Sequence, residues 1–392
     1  MPPLFQCVAR VTAALIGVCI FASPALALAE PLPPPAAIDA QVRDIMSRTG
    51  ARGLALAVID DGQPVYVQAY GVRNAAGQPL TTDTIMYGAS LTKAVFAYAM
   101  MQQVDTGALD LDRPIAAMLP RPLPDYYSPE LADRYADWRG LAEDERWRDI
   151  TPRIILTHST GFANFGFLEP DEKLRIHFDP GSRYAYSGDG LILLQFAIEQ
   201  GQGGDVGAMA QSGVFDRFSM TRTSLIWRPD FAGNLADGWT DKGEVEPHDE
   251  RSKVRAAGSM DTTISDFARF AAGYIRGEGL SAGSRAEITR PQRPITTASQ
   301  FPTFQPELPV DQQRPDLSAG LGVVTFSGPQ GPGFFKGGHN DTTGNTWVCV
   351  EASRRCVVIL ANDVRAEPAY AELVRFILGE TGVPYDWEYG PA

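Results

Sequence analysis

Apolar positions along the chain recur with two periods, one suited to strands and one to helices. Leu54 to Ile59 and Pro64 to Ala69 are strand-like runs flanking Asp61-Gly62, a pair that accepts the positive φ angles of a tight hairpin turn. Towards the other end, Gly320 to Phe326, Gly333 to Gly337, Thr346 to Glu351 and Cys356 to Ala361 read as further strands. Ile38 to Gly50 carries a helical pattern, and Pro368 to Gly379 is an amphipathic stretch opened by proline and closed by glycine, as helices prefer. Both ends therefore supply helix plus strand, which predicts two helices packed on one shared antiparallel sheet. The middle is mainly helical and includes the long candidate Leu91 to Val104. Between 119 and 150, Tyr126, Tyr127, Tyr135, Trp138 and Trp147 cluster with prolines and acids. That stretch reads as surface helices packed on the body, or as an excursion over a cleft.

The expected fold class is thus α/β (α+β): a central antiparallel sheet flanked by N- and C-terminal helices, plus a mainly helical subdomain over roughly 90–265. One unit spans 38–379, preceded by a proline-rich linker at 30–37 and followed by a C-terminal tail at 380–392. Ahead of the linker, Arg10, an apolar run from Val11 to Ala22, Pro24 and Ala27-Leu28-Ala29 have the form of a signal peptide cleaved after Ala29. The chain is then expected to be exported, periplasmic or secreted. Cys349 and Cys356 alone remain of the cysteines after cleavage. A turn centred on Ala352 and Ser353 sets them opposite each other, which in an oxidising compartment predicts a cross-strand disulfide.

Composition fills in the class of partner. Hydrophobic residues make up 44% of 392, enough for a large core, and 34 basic against 47 acidic residues leave a net charge of −13. An acidic chain without basic runs has no electrostatic reason to bind nucleic acid. His158, His177, His248 and His339 are scattered, with no H-E-x-x-H or C-x-x-C, and no dinucleotide or phosphate-binding glycine loop occurs. The mechanism is expected to need no cofactor and no metal.

A serine nucleophile is the remaining candidate. Gly279-Leu280-Ser281-Ala282-Gly283 fits the G-x-S-x-G pattern but follows a helical segment where a strand is required, so it reads as a connecting loop. Ser90-Leu91-Thr92-Lys93 is better placed. Gly88 lets the chain turn, the helical run begins at Leu91, and Lys93 falls one turn after Ser90 on the same face. A serine hydroxyl needs a neighbour to take its proton, and a desolvated lysine near another cation has its pKa lowered towards that task.

Five blocks then occur together and in order: Met86 to Lys93; Ile150-Thr151 with Leu156 to Gly161; Pro180-Gly181 with Tyr186-Ser187; Gly258-Ser259-Met260; and Lys336-Gly337-Gly338. In this the chain resembles the serine β-lactamase and penicillin-binding protein family, closest to its class C β-lactamase and esterase branch, from about Ile38 to Leu378. The resemblance implies a β-lactamase-like fold and an acyl-enzyme on Ser90. Lys93 and Tyr186 would share general-base work, with cationic neighbours favouring the phenolate. Lys336, Gly337, Gly338 and His339 would line the substrate side, and the backbone N–H groups of Ser90 and His339 would form the oxyanion hole. His158 reads as a structural histidine.

Two departures shape the expected activity. The residue two after Tyr186, usually asparagine in β-lactamases, is Gly188, and the family's Lys-Thr-Gly has become Lys336-Gly337-Gly338. The acylation residues are present while part of the β-lactam recognition set is not. The leading expectation is a serine hydrolase of carboxylic esters or small amides. β-Lactamase or D-amino-acid peptidase activity is the enzymatic alternative, and a penicillin-binding sensor that acylates without turnover is the alternative of another class.

Overall fold

The computed structural model describes residues 31–390; the signal peptide expected at 1–29 lies outside them. The chain enters helix α1 (Pro35–Thr49), so the last part of the predicted linker is already helix, with proline in the first turn where its missing N–H costs nothing. Strands β1 (Gly53–Asp60) and β2 (Gln63–Gly71) follow as a hairpin. Asp61 and Gly62 both take positive φ, 46° and 72°, as the turn between right-twisted strands demands.

The other strands of the main sheet come from the C-terminal part: β3 (Arg293–Pro294), β4 (Leu317–Ala319), β5 (Val324–Gly328), β6 (Gly331–His339), β7 (Gly344–Val350) and β8 (Arg355–Ala361). They form an eight-stranded sheet in the order β2-β1-β8-β7-β6-β5-β4-β3, each pair antiparallel. The run predicted as one strand from Gly320 to Phe326 is broken. Gly322 turns with φ 75°, and a Cβ there would lie 2.4 Å from the Ala97 methyl carbon, so close packing on the helix Leu91–Asp105 forces a turn where periodicity alone favours extension.

Alternate residues of β1 point to opposite faces, and both faces are buried. Leu54, Leu56 and Val58 pack with Ile38, Val42 and Ile45 of α1 and with Leu373, Val374 and Ile377 of the helix Tyr370–Leu378. The expected placement of both terminal helices on one sheet face is therefore observed, and Arg48 ties them with an ion pair to Glu372 at 2.7 Å. Ala55, Ala57 and Ile59 face the second core, shared with α2 (Leu91–Asp105) and the helix Ile264–Arg276. Helix α2 is buried nearly all round, which explains its apolar composition without a polar stripe.

The aromatic stretch at 119–150 forms short helical turns on the helical body. Tyr126, Tyr135 and Trp138 pack around Phe196 with ring centroids 5.1, 5.1 and 5.5 Å away. The segment after Gly379, read from sequence as a tail, is built into the fold: residues Tyr385–Tyr389 form a helical turn with Tyr385 and Trp387 buried. Asp386 is exposed and Glu388 partly buried.

Cys349 of β7 and Cys356 of β8 are directly paired, with Cα atoms 4.1 Å apart, and are joined by a disulfide. Alkylation followed by mass spectrometry is expected to count two more thiols after reduction than before. Replacing both cysteines by alanine is expected to lower unfolding free energy by about 2–3 kcal/mol in urea titrations. An unchanged thiol count contradicts the bond.

Candidate active site

Ser90 stands at the junction of a strained turn and a helix. The Gly88 N–H is held by the Met260 carbonyl at 2.8 Å, Ala89 takes a φ of 46°, and Ser90 occupies the N-cap of α2. A left-handed alanine costs roughly 1–2 kcal/mol and persists only where packing over-determines it. Lys93, one turn on, is 1% exposed. Its Nζ lies 2.9 Å from Ser90 Oγ and donates to the Ala257 carbonyl at 2.5 Å.

Tyr186 arrives from a separate element, the segment that leads into the helix Gly188–Phe196. Ser187 caps that helix by accepting from the Gly190 N–H at 3.0 Å while donating to the Ala163 carbonyl at 2.8 Å. His158 clamps the same segment three ways. Its carbonyl accepts from the Ala185 N–H at 2.7 Å, its Nδ1 accepts from the Ser187 N–H at 3.1 Å, and its ring stacks on Tyr186 at 4.4 Å. Burial, then the charges of Lys93 and Lys336, hold the imidazole well below its usual pKa. It is a neutral platform, and the Tyr186 hydroxyl resting on it donates to Ser90 Oγ at 2.7 Å.

The electrostatics differ in one respect from the sequence expectation. Lys93 is indeed held well below the ordinary lysine pKa, first by burial and then by Lys336. Lys336 itself is drawn down to about 8 by burial. Lys93 Nζ and Lys336 Nζ lie 4.9 and 5.1 Å from the Tyr186 ring centroid. Yet burial raises the Tyr186 pKa above that of free tyrosine, outweighing the hydrogen bond with Ser90. In the resting site the tyrosine is therefore a phenol, and Lys93 is the neighbour of Ser90 whose charged form burial and Lys336 disfavour.

Strand β6 supplies the opposite wall. It pairs with β5 only from Gly331 to Phe335, leaving a free edge from Lys336 to His339. The Asn340 N–H bonds the Thr343 carbonyl at 3.0 Å. Because amides alternate sides along a strand, the His339 N–H points to the free edge. Gly338 brings that edge against Ser90: a Cβ there would sit 2.9 Å from the Ser90 amide nitrogen and 3.0 Å from the Gly88 carbonyl oxygen. Two backbone N–H groups can thus converge beside the serine hydroxyl, provided position 338 has no side chain. Gly338→Ala is expected to lower kcat for an ester about 10²-fold with a much smaller effect on KM. Wild-type kcat in that variant would remove the strand edge from the site.

These residues line a cavity of about 650 Å³ whose walls include Tyr87, Asn164, Phe165, Ile192, Gln300, Phe301 and Glu388, which the sequence reading did not single out. Phe165 explains one departure from the family pattern. A Cβ on Gly188 would lie 2.5 Å from its ring, so the ring fills the space that a side chain at 188 requires. Asn164 packs alongside, its Oδ1 accepting from the Gly188 N–H at 2.9 Å. Asp189 faces away, accepting from the Gly166 N–H at 2.6 Å. Ser281 is remote from the cavity and caps a short helix, donating to Asp105 at 2.6 Å.

Comparison with known proteins agrees with this architecture. A family model described as Beta-lactamase matches residues 38–379. The chain is 26% identical over 337 residues to Esterase EstB of Burkholderia gladioli, covering 76% of this chain and 77% of that protein. It is 29% identical over 208 residues to the lovastatin esterase of Penicillium rubens, covering 45% of this chain and 49% of the esterase, so it spans about half of that relative's length. Among solved structures, the octameric penicillin-binding protein homologue from Pyrococcus abyssi superposes with a TM-score of 0.68 at 19% identity, over 86% of this chain and 76% of that one. The chain belongs to the beta-lactamase family and has its serine hydrolase fold.

Proposed function

We propose that the protein is an exported serine hydrolase that forms an acyl-enzyme on Ser90 and acts on carboxylic esters or small amides. The observation that carries this reading is the convergence of Lys93 Nζ and Tyr186 Oη on Ser90 Oγ, at 2.9 and 2.7 Å, at the floor of an open cavity. With Lys93 neutral, its amine takes the Ser90 hydroxyl proton as Oγ attacks the substrate carbonyl. The Tyr186 phenol then delivers its proton to the departing oxygen or nitrogen and is reprotonated from Lys93. Water repeats the sequence in reverse to release the acid. The N–H groups of Ser90 and His339 hold the oxyanion in both halves.

Esters are favoured over β-lactams because Phe165 fills the place of the family's recognition asparagine and Gly337 carries no hydroxyl. The esterase names of two relatives point the same way. Export is supported by the leader pattern and by the Cys349–Cys356 bond, which an oxidising compartment preserves. The test is turnover by the mature protein and Ser90→Ala of short-chain p-nitrophenyl esters, a chromogenic cephalosporin and D-alanyl amides. Ester turnover lost in Ser90→Ala is the expected result. A stable penicilloyl adduct without turnover would favour the sensor, and equal ester turnover in both proteins would overturn the assignment.

A further inference from the structure

The C-terminal turn places a carboxylate in the cavity that no step above uses. Glu388 is partly buried and lines the site together with Lys336, Gly337 and Gln300. Its position is fixed from both sides. Trp387 is 1% exposed and its carbonyl accepts from the Gln300 N–H at 2.9 Å, while the Tyr389 hydroxyl donates to the Asn345 carbonyl at 3.1 Å. The Gln300 side chain turns inward, its Oε1 accepting from the Tyr184 hydroxyl at 3.0 Å, and it lines the cavity with Glu388.

Glu388 and the glycine at 337 are two parts of one arrangement. A Cβ on Gly337 would fall 2.0 Å from Glu388 Oε1 and 3.0 Å from the Tyr389 hydroxyl, so the carboxylate stands where a side chain at 337 would begin. Lys336 Nζ donates to the Gly337 carbonyl at 2.8 Å, and Glu388 lines the same cavity, where burial raises its pKa and the charge of Lys336 opposes that rise. This end of the cavity adjoins Tyr186, which delivers the leaving-group proton in the proposed reaction. Whatever occupies it is the leaving-group side of the substrate.

We infer that Glu388 is a specificity determinant that rejects substrates carrying a carboxylate on the leaving group: its own carboxylate takes the place beside Lys336 and Gly337 that such a group would need. Like charges brought together in a partly desolvated cleft repel, and Glu388 lines the same cavity as Lys336, so its carboxylate offsets the charge that the lysine would offer an acidic leaving group. The departure at Gly337 is then a change of substrate charge class. The inference rests on the hydrolase reading given above.

The test uses a pair of acetyl esters, those of 4-hydroxybenzoate and of its methyl ester, whose leaving groups differ in charge and by one methyl group. Wild type is expected to favour the neutral ester by at least tenfold in kcat/KM, after correction for alkaline hydrolysis rates, with the difference mainly in KM. In Glu388→Gln the ratio is expected to move at least tenfold towards the acid, and comparing the two proteins cancels the intrinsic reactivities. As a measurement that needs no variant, benzamide is expected to inhibit the wild type at least tenfold more tightly than benzoate. Ester turnover with an unchanged ratio in a folded Glu388→Gln, or benzoate binding as well as benzamide, would overturn the inference alone. Absence of any Ser90-dependent ester turnover would overturn the underlying reading and the inference with it.

Discussion

Lys93→Met is expected to lower kcat/KM for a neutral short-chain ester by about 10³-fold, within the range that a positioned general base supplies. Methionine keeps most of the buried length and removes the amine that lies 2.9 Å from Ser90 Oγ. The pH profile separates this role from a structural one. A lysine works as the base only when unprotonated, so the acid limb of kcat/KM follows the Lys93 pKa, which burial and Lys336 place well below the usual lysine value. Lys336→Gln removes a like charge that disfavours protonated Lys93. The Lys93 pKa then rises, and the acid limb of the remaining activity is expected to move to higher pH. A limb that stays in place or moves to lower pH would show that Lys93 is not the group being titrated.

Tyr186→Phe is expected to cost about 10²–10³-fold in kcat, with KM changed far less. Phenylalanine preserves the ring that stacks on His158 at 4.4 Å and meets Phe301 edge-on at 5.4 Å, so the fold around it is retained. What is lost is the hydroxyl donating to Ser90 Oγ. Since burial keeps this phenol protonated, its deletion removes a proton donor to the leaving group. The loss is therefore expected to be smaller for an aryl ester, whose leaving group needs little help, than for an alkyl ester. Equal losses on both would assign Tyr186 to positioning of Ser90.

The parts of the site legible in the sequence were those encoded within one element. Ser90 and Lys93 are one helical turn apart, and a helix fixes that relation whatever the rest of the chain does. The Asp61-Gly62 hairpin was legible for the same local reason. Tyr186 and Lys336 lie far from Ser90 along the chain, and only the resemblance of several motif blocks in order joined them. The ionisation of Tyr186 depends on burial from all sides, so the nearby lysines suggested a phenolate where desolvation keeps a phenol. Glu388 was passed over because five residues are too few for a helical period to register. The available signal was the alternation of Tyr385, Trp387 and Tyr389 with Asp386 and Glu388, too many aromatic residues for a solvated tail. Phe165 and Asn164 carry no motif, and their place in the cavity follows from the chain path after Gly161.

The central claim is that Ser90 becomes covalently acylated through the Lys93–Tyr186 pair, and the most direct measurement is intact-protein and peptide mass spectrometry after rapid quenching with an activated ester. The expected result is an adduct of one acyl group on the peptide containing Ser90, absent in Ser90→Ala and formed far more slowly in Lys93→Met. An adduct on another residue, or equal labelling of the wild type and Ser90→Ala, would contradict it.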